Sequence, residues 1–142
     1  MTLPGWLPWA LASAGFAALT AIFGKVGVAG VPADLATMIR TAVILAITAG
    51  FVSAQGLWAQ TAQIGVRSWV FLGLSGAATG LSWLAYYRAL QLGDAARVAP
   101  VDKLSVLIVA VFAVLFLGER LSGLNWLGVA FVAAGVVLVA LK

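Results

Sequence analysis

Long apolar stretches recur along the chain, broken at short intervals by Gly, Pro, Ser and charged residues. A hydrocarbon layer about 30 Å thick takes roughly 20 apolar residues of helix to cross. Five stretches reach that length: residues 6–28, 32–52, 69–92, 95–117 and 124–141. None shows the strict apolar/polar alternation of a half-buried strand, so the pattern predicts an all-α, polytopic membrane protein with five transmembrane helices in one domain over residues 1–142. The joints carry capping chemistry. Gly30 can end the first span and Pro32 suits the first turn of the second. Ser68 is placed to cap the third, Gly93 and Asp94 offer a C′ glycine and an N-cap before the fourth, and Gly118 and Ser122 repeat that pattern before the fifth. The one long connection is residues 53–67, SAQGLWAQTAQIGVR, which reads as a polar loop. The first stretch has no basic lead-in and is too long for a signal peptide's apolar region, so it reads as the first span.

Composition strengthens this picture. Of 142 residues, 64% are hydrophobic and 8% charged, with a mean hydropathy of +1.15, whereas a soluble domain carries about 25% charged residues. The net charge of +4 comes from Lys and Arg scattered singly, without the basic clusters that bind nucleic acid. The absence of Cys and His excludes disulfides, thiolate metal sites and imidazole chemistry. With no nucleophile motif or metal-ligand cluster, neither an enzyme, a metal nor a cofactor is expected.

Helices in lipid associate through small residues. Ala10, Ala14 and Ala18, Gly76 and Gly80, and Ala130 and Ala134 are spaced for such packing. Trp6, Trp9, Trp58, Trp69 and Trp126 fall near span ends, where interfacial belts form. Trp83 does not; it lies inside the third span, followed by Tyr86 and Tyr87. Bundle packing explains these three as readily as a binding site does, though buried Tyr hydroxyls need partners.

The charges sort by depth. Alternating spans carry Lys25, Asp34, Arg40, Arg88, Asp94, Arg97, Asp102 and Lys103 towards one side of the membrane. Arg40 then lies about 12 Å from Pro32 and Asp102 about 10 Å from Ala95, while Lys25 and Arg88 are close enough to their helix ends to snorkel. Consecutive residues on a helix diverge by about 100°, so Asp102 and Lys103 are expected not to neutralise each other. Arg40 becomes the expected partner of Asp102, which leaves Lys103 as surplus positive charge suited to an anionic or zwitterionic ligand. A fourth helix that starts at the Gly93-Asp94 turn makes Pro100 an interior kink that frees a backbone carbonyl. The plainer alternative starts the helix at Pro100, which puts Asp102 in its first turn and lets Lys103 snorkel. Arg40 has a plainer role too, bound to backbone carbonyls or to Asp34, and Glu119 and Arg120 read most simply as a solvated loop.

The segment YYRALQLGDAARVAPVDKLSVLIVAVFAVLFLGERLSGLNWLGVAFVAAGVVLVALK, with Leu117-Gly118-Glu119-Arg120-Leu121, Trp126-Leu127-Gly128 and Gly135 as its most specific part, resembles the EamA module of the drug/metabolite transporter superfamily. Phe23-Gly24-Lys25 and the five-span plan extend the resemblance to the whole chain. Ten-helix relatives carry two such modules in inverted orientation and export small metabolites. The resemblance thus implies half of a ten-helix inverted-repeat transporter, a half-size chain that pairs with a second five-helix unit, most simply as an antiparallel homodimer. Such a dual-topology protein should show little Lys/Arg bias between its two sides. Arg67 and Arg120 on one side balance Arg97 and Lys142 on the other, and adding Lys25 and Arg88 tips the count only weakly.

The expected function is secondary transport, by alternating access and in the direction of export, of a small anionic or zwitterionic metabolite across the inner or plasma membrane. Substrate is expected at Arg40, Asp102, Lys103, Trp83, Tyr86 and Tyr87, with Asp102 as the carboxylate for a coupling proton. Two alternatives compete. A small multidrug exporter of organic cations would need an acid on the first span, which has none; an accessory membrane subunit would need no site at all.

Overall fold

The computed structural model describes residues 4–141; Met1 to Leu3 and Lys142, the latter one of the charges weighed for topology, lie outside the described residues. Among the described residues every regular element is helical. The elements are α1 (Leu7–Gly27), α2 (Ala33–Ala54), a 3₁₀ helix (Leu57–Gln63), α3 (Val66–Leu92), α4 (Ala95–Asp102), α5 (Ser105–Phe116) and α6 (Gly123–Ala140). Four stretches are long and apolar enough to cross a membrane: α1, α2, α4 with α5 taken together, and α6. Most of their Leu, Ile, Val and Phe side chains point outward, and among the described residues Leu90 is the one large side chain that is fully buried. An apolar exterior of this extent is a liability in water and the natural surface of a protein dissolved in lipid.

The chain divides into two compact units. One holds residues up to Ile22 together with those from Leu92 onward, and the other holds Phe23–Gln91. In the second unit the end of α1, the start of α2 and the end of α3 come together. Val28, Ala33, Thr37, Tyr87 and Leu90 are buried there. Polar residues within these spans are reconciled with lipid locally. Thr37, Thr41, Thr48 and Ser53 donate their hydroxyls to the carbonyls four residues back, at 2.8 to 2.9 Å, so none carries an unmet donor into the bilayer.

The fourth span is interrupted, as an interior kink at Pro100 implies, and the structure differs from the sequence expectations at three other places. Pro100 has no N–H to give the carbonyl four residues back, and the chain tightens after it. Lys103 N bonds Pro100 O at 2.9 Å, Leu104 N bonds Val101 O at 3.0 Å and Val106 N bonds Lys103 O at 3.0 Å, all at three-residue spacing, before α5 resumes at Ser105. The 53–67 loop is largely the 3₁₀ helix, launched by Gly56 at φ 66° and pinned by Trp58 Nε1 donating to Ser53 Oγ at 2.9 Å. Helix α3 begins at Val66, so Ser68 lies inside it and does not cap it. At Gly76 and Gly80 nothing lies within 4 Å of where a Cβ would stand, so this pair is not a close-packing face among the described residues.

Other joints match the reading of the sequence. Gly30 and Gly118 take left-handed φ values of 75° and 68° in the turns after α1 and α5. Glu119 N reaches back to Ala113 O at 3.1 Å, which satisfies a terminal carbonyl. Ser122 Oγ accepts from Asn125 N at 3.2 Å and its hydroxyl contacts Asn125 Oδ1, a side-chain N-cap for α6.

Candidate functional site

The 3.6-residue period sets one stripe on each of two helices. On α3 it places Trp83, Tyr87 and Leu90 on one face, and on α2 it places Ala33, Thr37 and Arg40 together. The guanidinium carbon of Arg40 lies 4.0 Å from the centroid of the Trp83 ring and 5.3 Å from that of Tyr87. Tyr86 meets Tyr87 edge-on, with ring centroids 6.3 Å apart at 61°. Four of the six residues expected at a site, Arg40, Trp83, Tyr86 and Tyr87, therefore form one cluster in the second unit. Arg40 makes no ion pair among the described residues, and its Nη1 is shut off from solvent with no hydrogen-bond partner. Trp83 and Tyr87 stabilise the charge through their ring faces without supplying an acceptor.

The rim of this cluster is tied. Lys25 Nζ donates to Leu90 O at 2.6 Å, and Gln91 Nε2 donates to Val31 O at 2.6 Å and Val28 O at 3.3 Å. Arg88 pairs with Asp34 at 3.0 Å, both side chains well exposed. The α1–α2 turn is thus bound to the last turn of α3. Gly24 is part of the fit: a Cβ there would stand 3.3 Å from Tyr87 Oη and 3.4 Å from Leu90 Cδ1. Sequence reasoning missed Gln91 and the role of Gly24. Gln91 was detectable as a polar residue four positions after Tyr87 on the same stripe; Gly24 gave no signal, because glycine is frequent throughout the chain.

Asp102 and Lys103 lie in the other unit, at the break between α4 and α5. Lys103 Nζ donates to Asp102 Oδ2 at 3.1 Å. This corrects the expectation that adjacent charges cannot meet. The divergence of about 100° holds on a continuous helix, but here the helix ends at Asp102 and Lys103 enters a tight turn. The partner assigned to Asp102 from sequence was Arg40; the partner found beside it is Lys103. Lys103 and Pro100 also border a cavity of about 640 Å³ whose other wall is the small-residue face of α1, including Ala10, Ala14, Ala17 and Ala18. Those alanines line space rather than packing flush. A second groove, of about 530 Å³, runs between α5 and α6 with Glu119 and Asn125 at one end, so Glu119 borders an apolar surface as well as the turn.

Comparison with known proteins places this arrangement in a family. The chain matches the EamA-like transporter family over residues 4–141. A curated Sinorhizobium protein described as an "Uncharacterized transporter in cobO 3'region" is 64% identical to it over 135 residues, which cover 95% of this chain and 96% of that protein. No solved structure matches the chain. An all-α architecture with apolar spans, an arginine with one buried, unpartnered nitrogen in one of them, and a family match over nearly the whole length together make this chain a multi-pass membrane protein that belongs to the EamA-like transporter family.

Proposed function

We propose that the protein is a secondary carrier that exports a small anionic or zwitterionic metabolite across the inner or plasma membrane. The observation that carries the reading is Arg40. An arginine stays charged at any physiological pH, and a lone charge in lipid costs at least about 2.5 kcal/mol. This one has a buried, unpartnered Nη1 and only aromatic faces around it. A ligand that brings the missing negative charge would offset that cost on binding. Arg40, Trp83, Tyr86 and Tyr87 form the substrate subsite of their unit in this reading, and Lys103, beside the α4–α5 break of the other unit, is a further substrate contact. Asp102, the carboxylate within that break, carries the coupling proton.

The membrane plan in this reading has five spans, with α3 as the fifth. Its 27 residues extend about 40 Å, enough to cross. Its lower apolar content comes from Ser75, Thr79, Ser82, Tyr86, Arg88 and Gln91, residues suited to a polar path. One five-span module is half of an inverted-repeat carrier, and the Sinorhizobium relative, matched over 96% of its length, has the same size. The working unit is accordingly an antiparallel homodimer that alternates access to the two sides.

Counterflow with purified protein in liposomes tests the carrier: unchanged transport in both Arg40→Ala and Asp102→Asn would sink it. Topology has a clean assay because the chain has no cysteine. A single cysteine at the exposed Gln60 should label from both faces of the membrane, and strictly one-sided labelling would rule out the antiparallel dimer. Tight binding of quaternary ammonium cations would favour a multidrug exporter, and stable capture of an unrelated chain without counterflow would favour an accessory subunit.

A further inference from the structure

We infer that the Arg40 subsite is built for an organic monocarboxylate with an apolar body, in preference to a zwitterion, a dicarboxylate or a phosphate ester. This rests on the carrier reading above and narrows it to one ligand chemistry.

Several side-chain donors of the Phe23–Gln91 unit are already engaged. The Thr37 hydroxyl is used by Ala33 O and that of Thr41 by Thr37 O. Lys25 reaches Leu90 O, Gln91 bridges to Val28 O and Val31 O, and Arg88 is paired with Asp34. Among the described residues, Arg40 Nη1 is the buried side-chain nitrogen left with nothing. Guanidinium donors lie in the plane of the group. The guanidinium of Arg40 lies over the rings of Trp83 and Tyr87, which offer no lone pair to its in-plane donors, so the N–H groups of Nη1 remain to be met by something else.

Charge then selects the ligand. Arg40 carries the positive charge whose nitrogen is left without a partner, since Arg88 is balanced by Asp34 and Lys25 is engaged at Leu90 O. A monoanion neutralises that charge. A dicarboxylate or a phosphate monoester, the latter at about −1.5 to −2 near pH 7, would leave excess negative charge where the dielectric is low. A zwitterion would bring an ammonium, and the acid nearest in sequence on α2, Asp34, is already held by Arg88. Shape agrees: two carboxylate oxygens in a plane match a guanidinium edge. The indole of Trp83 and the rings of Tyr86 and Tyr87 offer apolar surface for the rest of the molecule.

Calorimetric titration of the purified full-length chain with benzoate, phenylalanine, succinate and glycerol 3-phosphate tests this, with Arg40→Met and Arg40→Lys as variants. Benzoate should bind more tightly than the other three. Its affinity should fall on the order of ten- to a hundredfold in Arg40→Met. Arg40→Lys keeps the charge but loses the planar edge, so it should fall between; it also decides the matter if the Met variant does not fold. Tighter binding of succinate, glycerol 3-phosphate or phenylalanine overturns the monocarboxylate, as does benzoate binding that is absent in the wild type or unchanged in both variants. Counterflow separates the two levels. If transport of another solute still depends on Arg40, the carrier stands and only the ligand class falls; if transport ignores Arg40 alone, the Arg40 subsite falls with the ligand class, and if it ignores Asp102 as well, the carrier falls too.

Discussion

The two units carry their intramembrane charge in opposite ways. In the Phe23–Gln91 unit Arg40 sits on an unbroken helix, leans on two aromatic rings and has no acid. In the other, Asp102 and Lys103 sit where a helix is interrupted and answer each other at 3.1 Å. Backbone geometry separates the cases. On a continuous helix neighbouring side chains diverge, so a charge must find its partner on another element or remain without one. At a break the next residue turns back, and adjacent charges become their own pair. The interrupted helix has thus solved its electrostatics internally, whereas on the continuous one Arg40 Nη1 finds no acceptor among the described residues.

The largest effect should come from removing the unanswered charge. Arg40→Met keeps an apolar stem of similar reach and discards the orphaned donor. Transport should fall about a hundredfold, while stability should rise by about 1–3 kcal/mol, because an uncompensated buried cation is replaced by an apolar group. Counterflow and thermal denaturation in the same detergent read the two signs. A variant that loses both activity and stability would mean that Arg40 holds the fold together, and the contrast between the units would collapse.

The self-contained pair should respond with the other sign. In Asp102→Asn, Lys103 loses its counter-charge, and stability should drop by about 1–3 kcal/mol, between the value of a water-exposed pair and that of a lone charge in lipid. Proton-driven transport should vanish, while exchange of substrate for substrate should persist. Pro100→Ala tests the break itself. Restoring the N–H allows α4 and α5 to fuse, and a straight helix from Ala95 to Phe116 would be about 32 Å long. Spin labels at these two ends, on cysteines in an otherwise cysteine-free chain, should move apart in the variant. An unchanged distance would show that Pro100 is not what bends the span.

Much of this was readable in the sequence, and the misses share a cause. Apolar run lengths located the spans within a few residues, because lipid imposes a fixed helix length. Gly118 and Ser122 marked their turn because positive φ and N-capping demand particular residue types. Arg40, Trp83, Tyr86 and Tyr87 stood out as polar or amphipathic groups at depth, and the fold gathers them. The partner of Asp102 was misassigned because helical spacing was applied across a break; Pro100 was recognised as a kink, but its consequence for the next two side chains was not followed through. Small-residue spacing misled at Gly76 and Gly80, since a permissive surface becomes a packed one only when another helix arrives.

The smallest predicted effect concerns Gly24, a glycine against which the end of α3 closes. Gly24→Ala places a methyl 3.3 Å from Tyr87 Oη and 3.4 Å from Leu90 Cδ1, tighter than ordinary van der Waals contact for the first. Leu90 is fully buried and its carbonyl is held by Lys25, so the ring of Tyr87 is the group free to yield. A shift of a few tenths of an ångström would move it relative to Arg40, which it faces at 5.3 Å. Overpacking of this kind costs about 1 kcal/mol at its mild end, offset in part by the better helix propensity of alanine. Stability should therefore change little, while substrate affinity should weaken a few-fold with maximal rate preserved. The comparison that sharpens this is Gly27→Ala, three residues on in α1, where a Cβ meets nothing within 4 Å; it should leave transport untouched. Equal effects at the two glycines would mean that α1 helicity, and not the position of Tyr87, is what the substrate feels.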